Sequence, residues 1–336
     1  MLEICFCIQF AYLAQTHAFP AVANSRAIEV TGKNIEVVEV GPRDGLQNEP
    51  DIISTADKLS LIERMIDFGA RRLEVASFVH PARVPQMADA EAVIAGLPDH
   101  PDTTYIGLTL NKRGVMRALA TRDDGPKNGK ARGIDQVGCV VVASDTFGQK
   151  NQGQTIAEGI AENRDMIRFA RAEGMRAQVT ISAAFGCPFE GEVQPATVLA
   201  IAEELAAEGP EEIALADTIG VGVPAQVEDL FGKLGDLLAG KIPMRSHFHN
   251  TRGTGIANAW AAYQVGVTAF DASLGGLGGC PFAPKATGNI ATEDLIYLMK
   301  QSGVETGIDL DAAIGANRWI AGVLGRELPS QVARAA

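Results

Sequence analysis

Residues 34–48 read Asn34-Ile35-Glu36-Val37-Val38-Glu39-Val40-Gly41-Pro42-Arg43-Asp44-Gly45-Leu46-Gln47-Asn48. A short run rich in β-branched residues breaks into glycine, proline and two opposite charges. The run suits a buried strand, and the Gly-Pro pair ends it in a loop. The same unit recurs along the chain. Strand-like runs lie at 35–40, 72–76, 104–108, 136–142, 176–181, 212–216, 244–248 and 268–272. Stretches of helical period fall between them, among them 55–68, 155–172, 196–207 and 255–265. Eight strands alternating with helices over about 250 residues predict an α/β fold, a (β/α)8 TIM barrel. An open doubly wound sheet is the rival arrangement. The chain beyond residue 308 predicts extra C-terminal helices. Segment 122–133, polar and glycine-rich, reads as an extended loop between the third helix and the fourth strand. No Pro/Ser-rich linker divides the chain, so 31–336 is expected to form a single barrel domain.

Bulk properties narrow the function. The net charge is −12 with no block of lysine or arginine, which argues against nucleic acid or an anionic membrane as partner. An anionic ligand must then be met by local positive groups or a metal. The five cysteines are Cys5, Cys7, Cys139, Cys187 and Cys280. An odd count and wide spacing speak against a disulfide framework, and a reducing, cytoplasmic setting is expected. Residues 4–23 are apolar and end in Ala21-Val22-Ala23, like a secretory signal. However, the start carries Glu3 and no basic residue, and Gln9, Gln15 and His17 interrupt the run. Residues 1–30 are therefore expected to be a disordered tail or the product of a mis-assigned start.

A barrel carries its chemistry at the C-terminal ends of its strands. Arg43 and Asp44 follow the first strand, Glu74 lies near the end of the second, and Asp145 follows the fourth. Asp217 ends the sixth strand, His247 and His249 the seventh, Asp271 and Ser273 the eighth. Alternate residues of a strand share a face, so His247-Phe248-His249 presents two imidazoles together, as a pair of metal ligands would require. Two histidines bonded to backbone are the bland alternative. Ligation is favoured because two of only five histidines stand at one mouth. Asp44 is the best third ligand, since the first and seventh strands are separated only by the eighth, and Asn289 could add an amide oxygen. Two imidazoles, a carboxylate and an amide suit Mg2+ or Mn2+ better than a closed zinc site. Arg43 beside such a metal could stabilise a developing oxyanion. The loop Gly275-Gly276-Leu277-Gly278-Gly279-Cys280-Pro281 could close over the site with a thiol at its tip.

The segments Val40–Glu49 (VGPRDGLQNE), Glu74–Val79 (EVASFV), Val84–Met87 (VPQM), Gly186–Gly191 (GCPFEG) and Gly276–Ala283 (GLGGCPFA) closely resemble the 3-hydroxy-3-methylglutaryl-CoA lyase family. They occur in the family's order over residues 35 to 311. The resemblance implies a TIM barrel and a metal shell of Asp44, His247, His249 and Asn289. It further implies catalytic roles for Arg43, Cys280, Asp44, His247, Glu74 and Asp217. Arg43 would stabilise an enolate and Cys280 protonate it, while Glu293 supports the glycine-rich loop. Arg43, Gln47 and Arg252 are candidate substrate-binding residues. The expected reaction is cleavage of 3-hydroxy-3-methylglutaryl-CoA to acetyl-CoA and acetoacetate. Citramalyl-CoA or another related 3-hydroxyacyl-CoA is the near alternative; a condensing acyltransferase and a non-enzymatic acyl-CoA binder are more distant ones. Expected partners are a small acyl-CoA and, at most, a second copy of the chain in a homodimer. One departure concerns specificity: where the family usually has Asp-Thr-Tyr-Gly after His-x-His, this chain has Asn250-Thr251-Arg252-Gly253. Arg252 there could pair a second substrate carboxylate.

Overall fold

The computed structural model describes residues 34–122, 133–279 and 288–336. Eight strands pair in sequence order, all parallel: β1 (Glu36–Glu39), β2 (Arg72–Ser77), β3 (Thr104–Thr109), β4 (Gln136–Val142), β5 (Arg176–Ser182), β6 (Ile213–Asp217), β7 (Met244–Phe248) and β8 (Ala269–Ala272). β8 closes the barrel on β1. The strand runs read from the sequence match within a residue or so at each end, and 136–142 and 244–248 coincide with β4 and β7.

Parallel neighbours require a return crossover, and helices supply it. These are α1 (Thr55–Asp67), α2 (Ala90–Gly96), α3 (Lys112–Ala120), the pair α4 (Asp145–Asn151) and α5 (Ile156–Ala172), α6 (Pro195–Ala206), α7 (Pro224–Leu238) and α8 (Gly255–Gln264); α9 (Thr292–Gln301) follows β8. Local sequence sets several of their starts. Ser54 accepts the Asp57 N–H at the head of α1, Thr155 and Glu158 form a capping box on α5, and prolines open α6 and α7. α10 (Leu310–Leu324) and α11 (Gln331–Ala335) are the expected extra C-terminal helices. The expected N-terminal tail and most of the 122–133 loop lie outside the described residues. No helix among the described residues is long and apolar enough to cross a membrane.

The outward faces of the strands and the inward faces of the helices share one apolar core, including Leu73, Val137, Ile181, Leu215 and Phe270 against Leu61, Ile167, Ile201 and Phe231. The barrel lumen is different. Val38, Val40 and Ile106 form a small separate cluster, and ion pairs span much of the remaining interior. Arg72 on β2 reaches Glu212 at the foot of β6 (3.0 Å) and Gln178 on β5 (2.9 Å), bonds that can only cross the lumen. Arg245 on β7 bonds the same Glu212 at 2.6 Å. Each of these three charges has an opposite partner, and removing one member of such a pair typically costs about 3–5 kcal/mol.

Glu39, wholly buried at the end of β1, joins three segments. It accepts from the N–H groups of Gly41 and Leu274 (both 2.9 Å) and from the Thr292 hydroxyl (2.6 Å). Burial pushes its pKa up from 4.5 to about 8, against the opposing pull of those hydrogen bonds. The folded state thus holds a proton that the unfolded chain releases near 4.5, so this group erodes stability as pH rises from there through about 8. Glu39→Gln keeps the shape and cannot ionise. Its urea midpoint is expected to fall less between pH ~5 and ~8.5 than that of the unaltered protein. Parallel pH profiles for the two proteins would contradict this.

Candidate active site

β1 does not run straight into its loop. The Asp44 and Gly45 N–H groups both bond the Val40 carbonyl, at 2.8 and 3.1 Å, so Gly41–Gly45 forms one widened π-type turn. Consecutive strand residues face opposite ways. The wide turn removes that constraint and brings Arg43 and Asp44 to the barrel mouth together. Gly45 is required by close approach: a Cβ there would lie 2.7 Å from Ser273 Oγ and 2.9 Å from Leu277 Cβ.

β7 ends with His247 and His249 on one face, their Nε2 atoms 3.2 Å apart. Residues 288–291 return beside this end. His249 bridges Asn289, and Ser273 bridges Ala291. Asn289 Nδ2 then donates to Asp44 Oδ2 (2.8 Å) and to the Leu277 carbonyl (3.1 Å). One ligand atom from each of Asp44, His247 and His249 falls within 4.8 Å of the others. Asn289 Oδ1 is buried without a hydrogen-bond partner. A buried acceptor rarely goes unsatisfied, and a cation bound beside it would satisfy it. The donor set of two imidazoles, a carboxylate and an amide oxygen fits a divalent metal.

The Arg43 guanidinium bonds Glu74 through Nε and Asp44 through Nη1, the latter at 2.6 Å. Burial opposes the charge on Asp44, but Arg43, then His247 and His249, outweigh it and hold its pKa at about 2. Burial, and then the neighbouring His247, lower His249 to about 4, which favours the neutral imidazole that a metal needs. His247 moves the other way: burial lowers it, but the hydrogen bond and charge of Asp271 raise it by more.

These groups floor a cleft of about 840 Å3 that Gln47, Arg83 and Arg245 also line. That is the size of a small-molecule site, and its arginines give an acidic chain the local positive charge that an anionic ligand requires. Two expected site residues are placed elsewhere. Asp217 is buried at the end of β6, where it accepts from the Val221 and Gly222 N–H groups (2.9 and 2.8 Å) and is not part of the cleft wall. Arg252 is exposed and donates to the carbonyls of Ile219 and Gly220 (3.0 and 2.9 Å), also off the wall. Asp217 at the end of β6 and Arg252 in the loop after β7 thus face the β6–α7 loop and not Asp44, His247 and His249. Glu293 accepts from Gly275 N–H at the start of the glycine-rich loop and from Asn317 Nδ2. Cys280 lies outside the described residues. Arg245, which also lines the cleft, lies two residues before His247 and so shares its face, a placement that strand periodicity makes legible.

A family model described as HMGL-like matches residues 34–320. The (R)-citramalyl-CoA lyase of Chloroflexus aurantiacus is 45% identical over 90% of this chain and 94% of its own. The crystal structure of hydroxymethylglutaryl-CoA lyase from Pseudomonas aeruginosa superposes with a TM-score of 0.84 at 38% identity, covering 90% of this chain and 97% of that one. An HMG-CoA lyase from Acinetobacter baumannii, in complex with coenzyme A and 3-methylmalate, gives a TM-score of 0.83 at 39% identity, with 90% and 95% covered.

Proposed function

The chain belongs to the HMGL-like family, and from that premise we propose that it is a divalent-metal-dependent lyase that cleaves a 3-hydroxyacyl-CoA of the 3-hydroxy-3-methylglutaryl-CoA type, releasing acetyl-CoA. The observation that carries this reading is the convergence of Asp44, His247 and His249 beside Arg43 on the cleft floor. A cation held by Asp44, His247, His249 and Asn289 Oδ1 would supply Lewis acidity, which acidifies a nearby alcohol. A nearby base, an aspartate or a histidine of the cluster, takes the proton of the tertiary hydroxyl, whose oxygen becomes the carbonyl of the departing oxo acid. The breaking carbon–carbon bond leaves its electron pair on the thioester fragment as an enolate. Arg43, fixed by Glu74 and Asp44, is placed to stabilise that charge. Cys280 then gives its proton to the enolate carbon, which completes acetyl-CoA. Cys280→Ser should lower kcat by roughly 10²–10⁴-fold, since a hydroxyl is a far weaker acid in the same place. Full activity in the serine variant would assign the proton to another group.

A second reading differs by one methylene. In citramalyl-CoA the carboxylate sits on the carbinol carbon itself, and the other product is pyruvate. The 45% identical relative supports it, as does the α-hydroxy acid in the A. baumannii complex. Both thioesters, with other 3-hydroxyacyl-CoAs, should be offered to the purified protein with Mn2+ and with EDTA, following acetyl-CoA and the oxo acid. The ratio of kcat/KM for the two thioesters decides between the readings. Absence of acetyl-CoA from every thioester in the presence of metal would overturn both.

A further inference from the structure

The lumen network leads to the site. β7 and β8 pair with His247 opposite Asp271, which puts both side chains on the inner face at one height. His247 Nδ1 and Asp271 Oδ2 are 3.0 Å apart, and Arg245 Nη1 donates to the same Oδ2. Arg245 is held in turn by Glu212 through Nε (2.6 Å) and by the Thr180 hydroxyl through Nη2 (3.1 Å). Arg72 braces Glu212 with both of its terminal nitrogens, at 3.1 and 3.0 Å. Five side chains from four strands thus form one buried chain of alternating charge, running from Arg72 on β2 to His247 at the mouth.

We propose that Asp271 is a positioning residue that, anchored by Arg245 and Glu212, accepts the Nδ1 proton of His247 and so presents the lone pair of Nε2 to the cleft. The donors settle the direction of the bond. A guanidinium only donates and does not lose its proton, so Asp271 beside Arg245 is an ionised acceptor. An ionised carboxylate cannot donate to His247, so Nδ1 must carry the hydrogen. In the neutral ring Nε2 is then bare, and it faces His249 Nε2 and the Asp44 carboxylate. The lever extends beyond the tautomer. With Arg245 bonded on three of its nitrogens, Asp271 cannot swing away, and the imidazole plane is held with it. The opposite tautomer would aim an N–H at the ligand position and leave a lone pair against a carboxylate.

The proposal rests on the metal-lyase reading only for its consequence, and two measurements separate the two. The first is 15N NMR of histidine-labelled, metal-free protein over a pH series carried up until the His247 ring is neutral. His247 is expected as the Nδ1–H tautomer; the Nε2–H tautomer would overturn the proposal. The second is Mn2+ affinity, read by electron paramagnetic resonance. Asp271→Leu removes the acceptor and should weaken Mn2+ binding by about 10–100-fold, with loss of the tautomer preference. Asp271→Asn can keep an oxygen at the Oδ2 position and should restore much of both. Asp271→Leu protein with unchanged tautomer and unchanged Mn2+ affinity would overturn the proposal. If the leucine variant fails to fold, the NMR of the unaltered protein and the asparagine variant decide. Nδ1–H observed in a protein that binds no Mn2+ would support the tautomer assignment and sink the metal reading instead.

Discussion

Asp44→Ala is expected to remove both divalent-cation binding and nearly all turnover. Asp44 is the carboxylate of the cluster, and its charge is held on by Arg43 and the two imidazoles down to a pKa of about 2. It therefore presents an anion to a cation at any ordinary pH. The variant also strips Asn289 Nδ2 of one of its two acceptors and so loosens the amide beside the cluster. Lewis acidity from a bound metal is worth several kcal/mol of transition-state stabilisation. Its loss should cost about 10³-fold or more in kcat. Asp44→Asn preserves shape and is the folding control. Mn2+ titration and acetyl-CoA release measured on the same preparations check the result. An alanine variant that still binds Mn2+ tightly would remove Asp44 from the ligand set, and full activity after exhaustive chelation would remove the metal from the reaction.

The second large effect is expected at Arg43. Its guanidinium is a fork, with Nε on Glu74 and Nη1 on Asp44, so the side chain has little freedom within the cleft. Arg43→Gln removes the charge and cannot span both carboxylates. The charge it would offset is absent from the bound substrate and appears only as the carbon–carbon bond breaks. The loss should therefore fall on kcat, by about 10²–10³-fold, with KM changed little. Arg43→Lys keeps the charge without the fork and should lie between the two. Because Glu74 would lose its counter-charge, a melting curve must accompany the kinetics. A change confined to KM would mean that Arg43 serves substrate binding, not the bond-breaking step.

The site was legible where chemistry follows strand periodicity. His247 and His249 share a face because alternate strand residues do, and Arg43 and Asp44 could be placed because they follow a clear strand end. Asp217 and Arg252 show the limit of that logic. Asp217 ends β6 and Arg252 lies in the loop after β7, yet their partners are backbone groups of the β6–α7 loop. Where a loop side chain points depends on the turn that carries it, and the nearest unpaired N–H or carbonyl captures it. The π-type turn at Gly41–Gly45 was equally hidden, since the Gly-Pro pair announces a turn but not its width.

Sequence alone determined the eightfold alternation of apolar runs and amphipathic stretches, a local property; the pairing of β8 with β1 decides that the sheet closes into a barrel and does not stay open. It also placed His247 and His249 together at the barrel mouth, through the two-residue repeat of a strand. Tertiary structure alone decided which charged side chains meet. Arg72, Glu212, Arg245 and Asp271 are scattered over 200 residues of chain, and each by itself reads as an ordinary charge in or beside a strand. They become one network because closure of the barrel brings non-adjacent strands face to face across a buried lumen, where an unpaired charge is costly.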